Sequence, residues 1–350
     1  MRKRVFCVLL SLLLAAGTVG CAPFSAGRQE TTYLDVFDTV TTVTAYGVSA
    51  GEFSAGAQRL HALLTEYHRL YDIYHTYEGM QNLCSVNAAA GGDPVAVDSR
   101  ILDLLEYGRE SYAATGGRVN ILYGAVLQLW HTQREQAAAD PAAAALPDPA
   151  ALQQAAAHTD PSLLRIDRAA GTVQLTDPQA RLDVGAIAKG YAAERAAEFI
   201  RGELGWSHVL LNVGGNVRAV GGKKTHTPFT IGVQNPDEDS AVAYLLTVEL
   251  TDAAAVTSGD YQRYYEVAGQ RYAHIIDVDT GYPATYVRAV TVLCPDSAQA
   301  DVLSTALFTL PVEEGLALLE HFADAEAVFV LPDGSLRYSP GFPQPGRAAG

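Results

Sequence analysis

Two windows of the chain place apolar residues at helical spacing. Between Ala55 and Tyr71, the side chains of Leu60, Leu63, Leu64 and Tyr67 share one face. Between Asp98 and Ala114, Ile101, Leu102, Leu105 and Tyr112 do the same. The second window runs into Thr115-Gly116-Gly117, a signal for a helix C-terminus. Runs rich in β-branched and apolar residues predict strands at Val36–Tyr46 (stopped by Gly47), His208–Val213, Phe229–Val233, Tyr244–Leu250 and Val287–Cys294. Hairpins are predicted around Ala169-Ala170-Gly171, at Gly269 and at Asp333-Gly334. Helices are predicted at 297–310 and 313–322, and residues 72–87 read as a loop after Tyr71 that carries Tyr74 and Tyr77. This mixture predicts an α+β domain over residues 33–340, with a mixed, largely antiparallel sheet and packed helices. The Ala/Pro-rich stretch 137–157 reads as a surface excursion in which Asp148-Pro149 starts a short helix.

One stretch does not fit a simple period. Arg181-Leu182-Asp183-Val184-Gly185-Ala186-Ile187-Ala188-Lys189-Gly190-Tyr191 reads as a strand end, a glycine turn and then a helix reaching about Ile200. Glycine lets backbone approach a neighbour closely, and a helix start presents unpaired N–H groups. Such joints are common without any ligand, so the stretch gains meaning only from what accompanies it.

Composition narrows the partners. The chain has 350 residues, 49% of them apolar, and a formal net charge of −15. Arg2-Lys3-Arg4, an apolar run from Val5 to Ala16 and Gly20-Cys21 read as an export signal of residues 1–20. Cys21 in that place resembles the lipidated cysteine of bacterial lipoproteins. The resemblance implies a membrane anchor at Cys21, a tether over 21–32 and an extracytoplasmic location. Removing residues 1–20 lowers Lys plus Arg from 24 to 21 against 39 acidic residues, a net charge of −18. Such acidity argues against nucleic acid as a partner, and any phosphate must be held by local devices. Cys84 and Cys294 can pair in an exported protein or remain free thiols; their spacing leaves both open.

Candidate chemistry lies in short motifs. Asp301 and Thr305 stand four apart on a predicted helix, hence on one face, and a carboxylate with a hydroxyl suits a hard cation such as Mg²⁺. Taken alone, such a pair is more often an Asp favoured by the helix dipole and a Thr bonded back to the chain. His274 ends a strand before Thr280-Gly281-Tyr282-Pro283, a place for a neutral general base or for a structural histidine. Asn212-Val213-Gly214-Gly215-Asn216 is either a tight turn or a close ligand approach, and Thr257-Ser258-Gly259-Asp260 follows an apolar strand.

The ordered set is more specific than any member. T-G-G at 115–117, D-V-G-A-I-A-K-G-Y at 183–191, N-V-G-G-N at 212–216, T-S-G-D at 257–260, H-I-I-D-x-x-T-G-x-P at 274–283 and D-V-L-S-T-A at 301–306 resemble the ApbE family of FAD:protein FMN transferases, over Tyr33 to Leu331. The resemblance implies a single catalytic domain. It also implies Mg²⁺-dependent transfer of FMN from FAD to a Thr or Ser hydroxyl of an acceptor, releasing AMP. The expected acceptor is a flavoprotein subunit of an exported electron-transfer complex. Residue by residue, it implies Mg²⁺ on Asp301, Thr305 and the Ala186 carbonyl. Asp183, Lys189, Arg118, Val119, Asn120, Phe37, Ile275 and a Tyr of the 71–77 loop would lie against FAD. His274 would be the base, with Asp260 as rival. Asn120 stands where the family commonly has Asp, and Val278-Asp279 where it has Pro-Arg or Pro-Lys. A metal-dependent FAD pyrophosphatase and a non-enzymatic flavin-binding lipoprotein are the alternatives.

Overall fold

The computed structural model describes residues 27–343. The export signal, Cys21 and the first part of the tether lie outside the described residues. In chain order the elements are β1 (Gln29–Val36), β2 (Thr39–Ala45), α1 (Ala50–Tyr71), α2 (Leu83–Ala88), β3 (Val95–Ala96), α3 (Ser99–Ala114), α4 (Gly124–Ala139), α5 (Pro149–Ala156), β4 (Leu164–Asp167) and β5 (Thr172–Leu175). They continue with α6 (Ala188–Gly202), β6 (Val209–Val213), β7 (Asn216–Val220), β8 (Phe229–Gln234), β9 (Tyr244–Leu250), β10 (Ala254–Gly259), β11 (Tyr264–Val267) and β12 (Gln270–Ala273). The last are β13 (Ala289–Cys294), α7 (Ser297–Phe308), α8 (Val312–Leu319), β14 (Glu326–Val330) and β15 (Leu336–Tyr338).

An eight-stranded sheet in the order β1-β2-β6-β7-β10-β13-β14-β15 forms the frame, and each neighbouring pair is antiparallel. Helices cover one face: Leu60 and Leu64 of α1 and Ala196 and Ile200 of α6 pack on Val43 and Leu211. On the same side Leu303 and Leu307 of α7 pack on Val256, Val290 and Phe329. The other face is closed by the β8–β9 hairpin through Phe229, Val248 and Leu250. A second core joins α1, α2, α3, β4 and β5 to the start of α6 and to Val302 and Ala306 of α7. The site described below lies at that junction. The α+β expectation with largely antiparallel pairing is thus met.

The elements form for local reasons. Helix α1 starts at a capping box in which Ser49 and Glu52 satisfy each other's backbone N–H groups. Asp98 caps α3, and Gly116 and Gly117 take positive φ just past its end, as the Thr-Gly-Gly signal predicts. Three expectations need correction. The strand expected at 36–46 is β2, starting at Thr39; Phe37 and Asp38 adopt left-handed φ (56° and 49°) and turn the chain from β1, an unexpected strand that ends at Val36. The tether ends earlier than residue 32, since Gln29 to Thr32 already pair with β2. The 137–157 stretch is more than a surface excursion. It is preceded by α4 and contains α5; Ala137 and Leu152 are buried, and Tyr265 of β11 donates to the Ala145 carbonyl at 3.2 Å. Cys84 and Cys294 are free thiols, and Cys294 donates to Gln299.

Candidate active site

The organising contact joins α6 to α7. Asp301, 4% exposed, accepts a hydrogen bond from the Gly190 backbone N–H through Oδ2 at 2.7 Å. Gly190 is the third residue of α6, so its N–H is one of the donors that a helix start leaves without an intrahelical acceptor. Asp301 satisfies it from α7, and among the described residues no backbone N–H donates to the Ala186 oxygen, just ahead of the helix. The approach is possible because residue 190 is glycine: a Cβ there would lie 2.3 Å from Asp301 Cβ and 2.5 Å from the Ser297 carbonyl oxygen. Ala186 packs against the core that holds Val302 and Ala306, one residue on from Asp301 and Thr305 respectively. Among the described residues the half-buried Thr305 hydroxyl has no hydrogen-bonding side-chain or backbone partner, so it is not bonded back to the helix. Burial raises the Asp301 pKa, opposed by the charge of Lys189, the Gly190 N–H and the Asn216 side chain. The Asn216 amide nitrogen is itself buried without a firm partner.

This donor set fits a hard divalent ion. It offers one carboxylate and one hydroxyl a helical turn apart on α7, and one carbonyl without a donor ahead of α6, all oxygen, with no cation within ion-pair distance of Asp301 among the described residues. Among the described residues no group of three or more His, Cys, Asp or Glu side chains is arranged around a metal. The protein therefore contributes a single charge here, and the remaining ligands have to be water and substrate oxygens.

His274 and Asp301 both feel the charge of Lys189. The His274 backbone N–H and its Nδ1 both meet the Arg263 carbonyl oxygen, at 3.0 and 3.1 Å. A carbonyl only accepts, so Nδ1 carries the proton and Nε2 keeps its lone pair. The ring is part-exposed yet lies deep among protein atoms. Burial, then the charges of Lys189, Arg263 and Arg134, push its pKa down to about 3, so the ring is neutral at working pH. Asp183 holds the turn before α6: its Oδ1 accepts the Gly185 N–H at 2.8 Å. Burial raises its pKa, with Gly185, His131, Arg134 and Lys189 opposing. The Lys189 ammonium reaches the Gly185 carbonyl at 3.4 Å. Tyr74 stacks at 4.9 Å on His131, whose Nδ1 lies 2.7 Å from Arg134, and both Tyr74 and His131 line a pocket with Asp183.

The remaining expected residues divide. Phe37 sits half-buried at the β1–β2 turn, its N–H bonded to His68, while Arg263 donates to the neighbouring Asp38 carbonyl at 3.4 Å; this puts the turn beside the His274 segment. Val119 and Ile275 are 1% and 8% exposed within hydrophobic cores, so their side chains are packing groups. Asn120 spends its side chain internally, donating to the Thr159 carbonyl and accepting from Leu122 N–H. Arg118 is engaged by Asp277 at 3.3 Å and Asp279 at 2.7 Å. Asp279 stands where the resemblance leads one to expect a basic residue, and Arg118 supplies a guanidinium to the same spot. Asp260 belongs to a separate pair with Arg288 (3.4 Å), and burial raises its pKa against that arginine. Among the groups acting on His274, Asp260 is absent.

Other motifs resolve into scaffold. Gly214 lies against Thr39, where a Cβ would come within 2.3 Å of its hydroxyl, so the double glycine of 214–215 is a tight packing turn. Ser258 bonds Ser304 at 2.9 Å, and Ser304 donates to the Asp301 carbonyl, which braces α7 beneath its carboxylate. Sequence reading missed Arg134, His131 and Arg263. The i, i+3 spacing of His131 and Arg134 was the available signal, but α4 carrying them has too even a scatter of apolar residues to be seen as a helix.

Comparison with known proteins places the chain. The ApbE family matches residues 37–329. An FAD:protein FMN transferase of Treponema pallidum is 32% identical over 95% of this chain and 92% of its own length. One of Klebsiella pneumoniae is 32% identical over 78% of this chain and 81% of its own length. The ApbE protein of Thermotoga maritima superposes with a TM-score of 0.78 at 25% identity, covering 90% of this chain and 98% of that one.

Proposed function

This chain belongs to the ApbE family, and from that membership and the corner between α6 and α7 we propose that it is an FAD:protein FMN transferase. The reaction joins a Thr or Ser hydroxyl of an acceptor to the FMN phosphorus. The oxygen–phosphorus bond forms, the diphosphate bond breaks, AMP leaves with the bridging oxygen, and the hydroxyl proton goes to a base. One observation carries the reading: Asp301 meets the start of α6 at the Gly190 N–H, while the Thr305 hydroxyl one turn on and the Ala186 carbonyl before α6 keep no hydrogen-bond partner among the described residues. Half-buried oxygens without partners cost stability unless water or a ligand takes them.

Asp301, Thr305 and the Ala186 carbonyl would hold Mg²⁺. When bound, the ion neutralises diphosphate oxygens and orients them for in-line displacement. Lys189 and Arg263 offset charge on the phosphates. Neutral His274, its Nδ1–H held by the Arg263 carbonyl, presents Nε2 to the incoming hydroxyl. Burial is the main force depressing its basicity; phosphates that neutralise Lys189, Arg263 and Arg134 would relax the smaller part due to those charges. The stacked Tyr74 and Phe37 at the β1–β2 turn supply aromatic surface for the flavin. The acceptor would be a subunit of an exported electron-transfer complex, met outside the cytoplasm by an enzyme anchored through Cys21.

The test mixes protein, FAD, Mg²⁺ and a candidate acceptor domain, and looks for flavin fluorescence that survives denaturing electrophoresis. Fluorescence on the acceptor band supports the transferase. Free FMN and AMP alone identify a hydrolase, and bound FAD without product identifies a flavin-binding lipoprotein.

A further inference from the structure

Glu194 and Arg218 form a buried pair beside Asp301, with side chains 8% and 5% exposed. Glu194 lies one turn beyond Gly190 on α6. It accepts from Arg218 Nε at 2.8 Å and from Nη2 at 3.0 Å, and its Oε2 also accepts from the Ser297 N–H at 2.8 Å. Arg218 Nη1 donates to the Ala219 carbonyl at 2.6 Å. Ser297 opens α7, one turn before Asp301. The contacts Glu194–Ser297 and Gly190–Asp301 are thus two rungs between the same pair of helices, each one turn from the next.

One rung fixes a separation but leaves a pivot; two fix rotation as well. Arg218 ties the outer rung to β7, two residues after Asn216 and on the same strand face. The pair's charges cancel each other, so its contribution to the corner is geometric.

We propose that Glu194 and Arg218 are positioning residues that set the rotation of α7 against α6, and so hold Asp301 and Thr305 toward the Ala186 carbonyl. This inference rests on the metal reading above.

The test titrates Mn²⁺ into the purified protein and follows the ion by electron paramagnetic resonance. Glu194→Met/Arg218→Met replaces the pair by apolar volume, a change buried ion pairs often survive. The expected result is a folded protein whose Mn²⁺ affinity falls about 10–100-fold, as for lost supports of metal ligands. Glu194→Gln keeps an oxygen for Ser297 and Arg218 Nε but turns an amide N–H toward Arg218 Nη2 and leaves that charge unpaired, so its Mn²⁺ affinity should fall, by about threefold to tenfold, less than in the double variant. A folded double variant with parental Mn²⁺ affinity overturns the proposal. If the double variant does not fold, Arg218→Lys takes its place, keeping the charge and losing the fork; unchanged affinity there overturns it equally. The arms separate the two readings: a parent protein that binds no more Mn²⁺ than Asp301→Ala removes the metal site and this inference together. A parent that binds while the variants match it removes only this inference.

Discussion

At the α6/α7 corner the polar contacts cross between packed helices and the main sheet: Gly190 to Asp301, Ser297 to Glu194, Ser258 to Ser304. His274 instead follows a two-stranded hairpin outside that sheet, steadied by one carbonyl and by the packing of Tyr265 and Tyr272 on Trp130. The corner buries a carboxylate with Lys189 as the one charge opposing that burial, whereas the hairpin end keeps a base neutral among cations. The difference suggests a division of labour. On the proposed reading, the site for a divalent ion would need fixed geometry and would be built from helices, while the end that meets a protein acceptor would be borne on loops and a hairpin.

Five changes break or sharpen this comparison. Asp301→Asn strikes the corner's function: transfer should fall at least about 100-fold, in line with loss of a metal ligand. Its metal-free melting temperature should rise by about 2–4 °C, because an uncompensated buried charge is removed. A fall in both would show that the carboxylate is structural. Gly190→Ala should damage fold and function together, costing about 1–3 kcal/mol in chemical denaturation, since the new methyl meets backbone and an Asp301 carbon.

At the hairpin end, His274→Ala should lower the transfer rate about 100-fold or more while FAD affinity stays the same, the pattern of a lost base. Lost affinity would recast His274 as a binding contact. The acid side of stability gives a subtler check. The native His274 titrates near 3, below its ordinary value of 6.5, so the unfolded chain takes up its proton first. The resulting stabilisation is complete above about pH 6.5 and is lost as pH falls toward 3. In metal-free protein His274→Asn should flatten that part of the stability profile, and the ring of the parent protein should show no protonation by NMR between pH 5 and 8. Arg118→Ala should have the smallest effect on transfer and cost about 1–2 kcal/mol in stability: Asp279 is open to solvent, and the buried Asp277 loses one partner but keeps the Asp279 N–H and the Tyr286 hydroxyl.

Much of the corner was readable from the chain. The four-residue spacing of Asp301 and Thr305 survives as one face of α7, and Gly185 to Gly190 marks the turn and close approach. What spacing could not reveal was where the Gly190 N–H would go, because Asp301 is distant in sequence. Glu194 and Arg218 were invisible for the same reason: each alone reads as a solvated charge. The Phe37–Asp38 turn was hidden because neither residue is a turn-former favoured at two successive positive φ values, so the β-branched run looked continuous. Val119 and Ile275 fell on motif positions, but their apolar side chains are taken up by packing in the core, which a motif match does not distinguish from contact with a ligand.

The most direct measurement is anomalous diffraction from crystals grown with FAD and soaked in Mn²⁺. The account predicts one strong peak about 2.0–2.3 Å from an Asp301 oxygen, the Thr305 hydroxyl and the Ala186 carbonyl, with diphosphate oxygens completing its shell. Ordered FAD with no peak there, or with the ion held by other side chains, would contradict it.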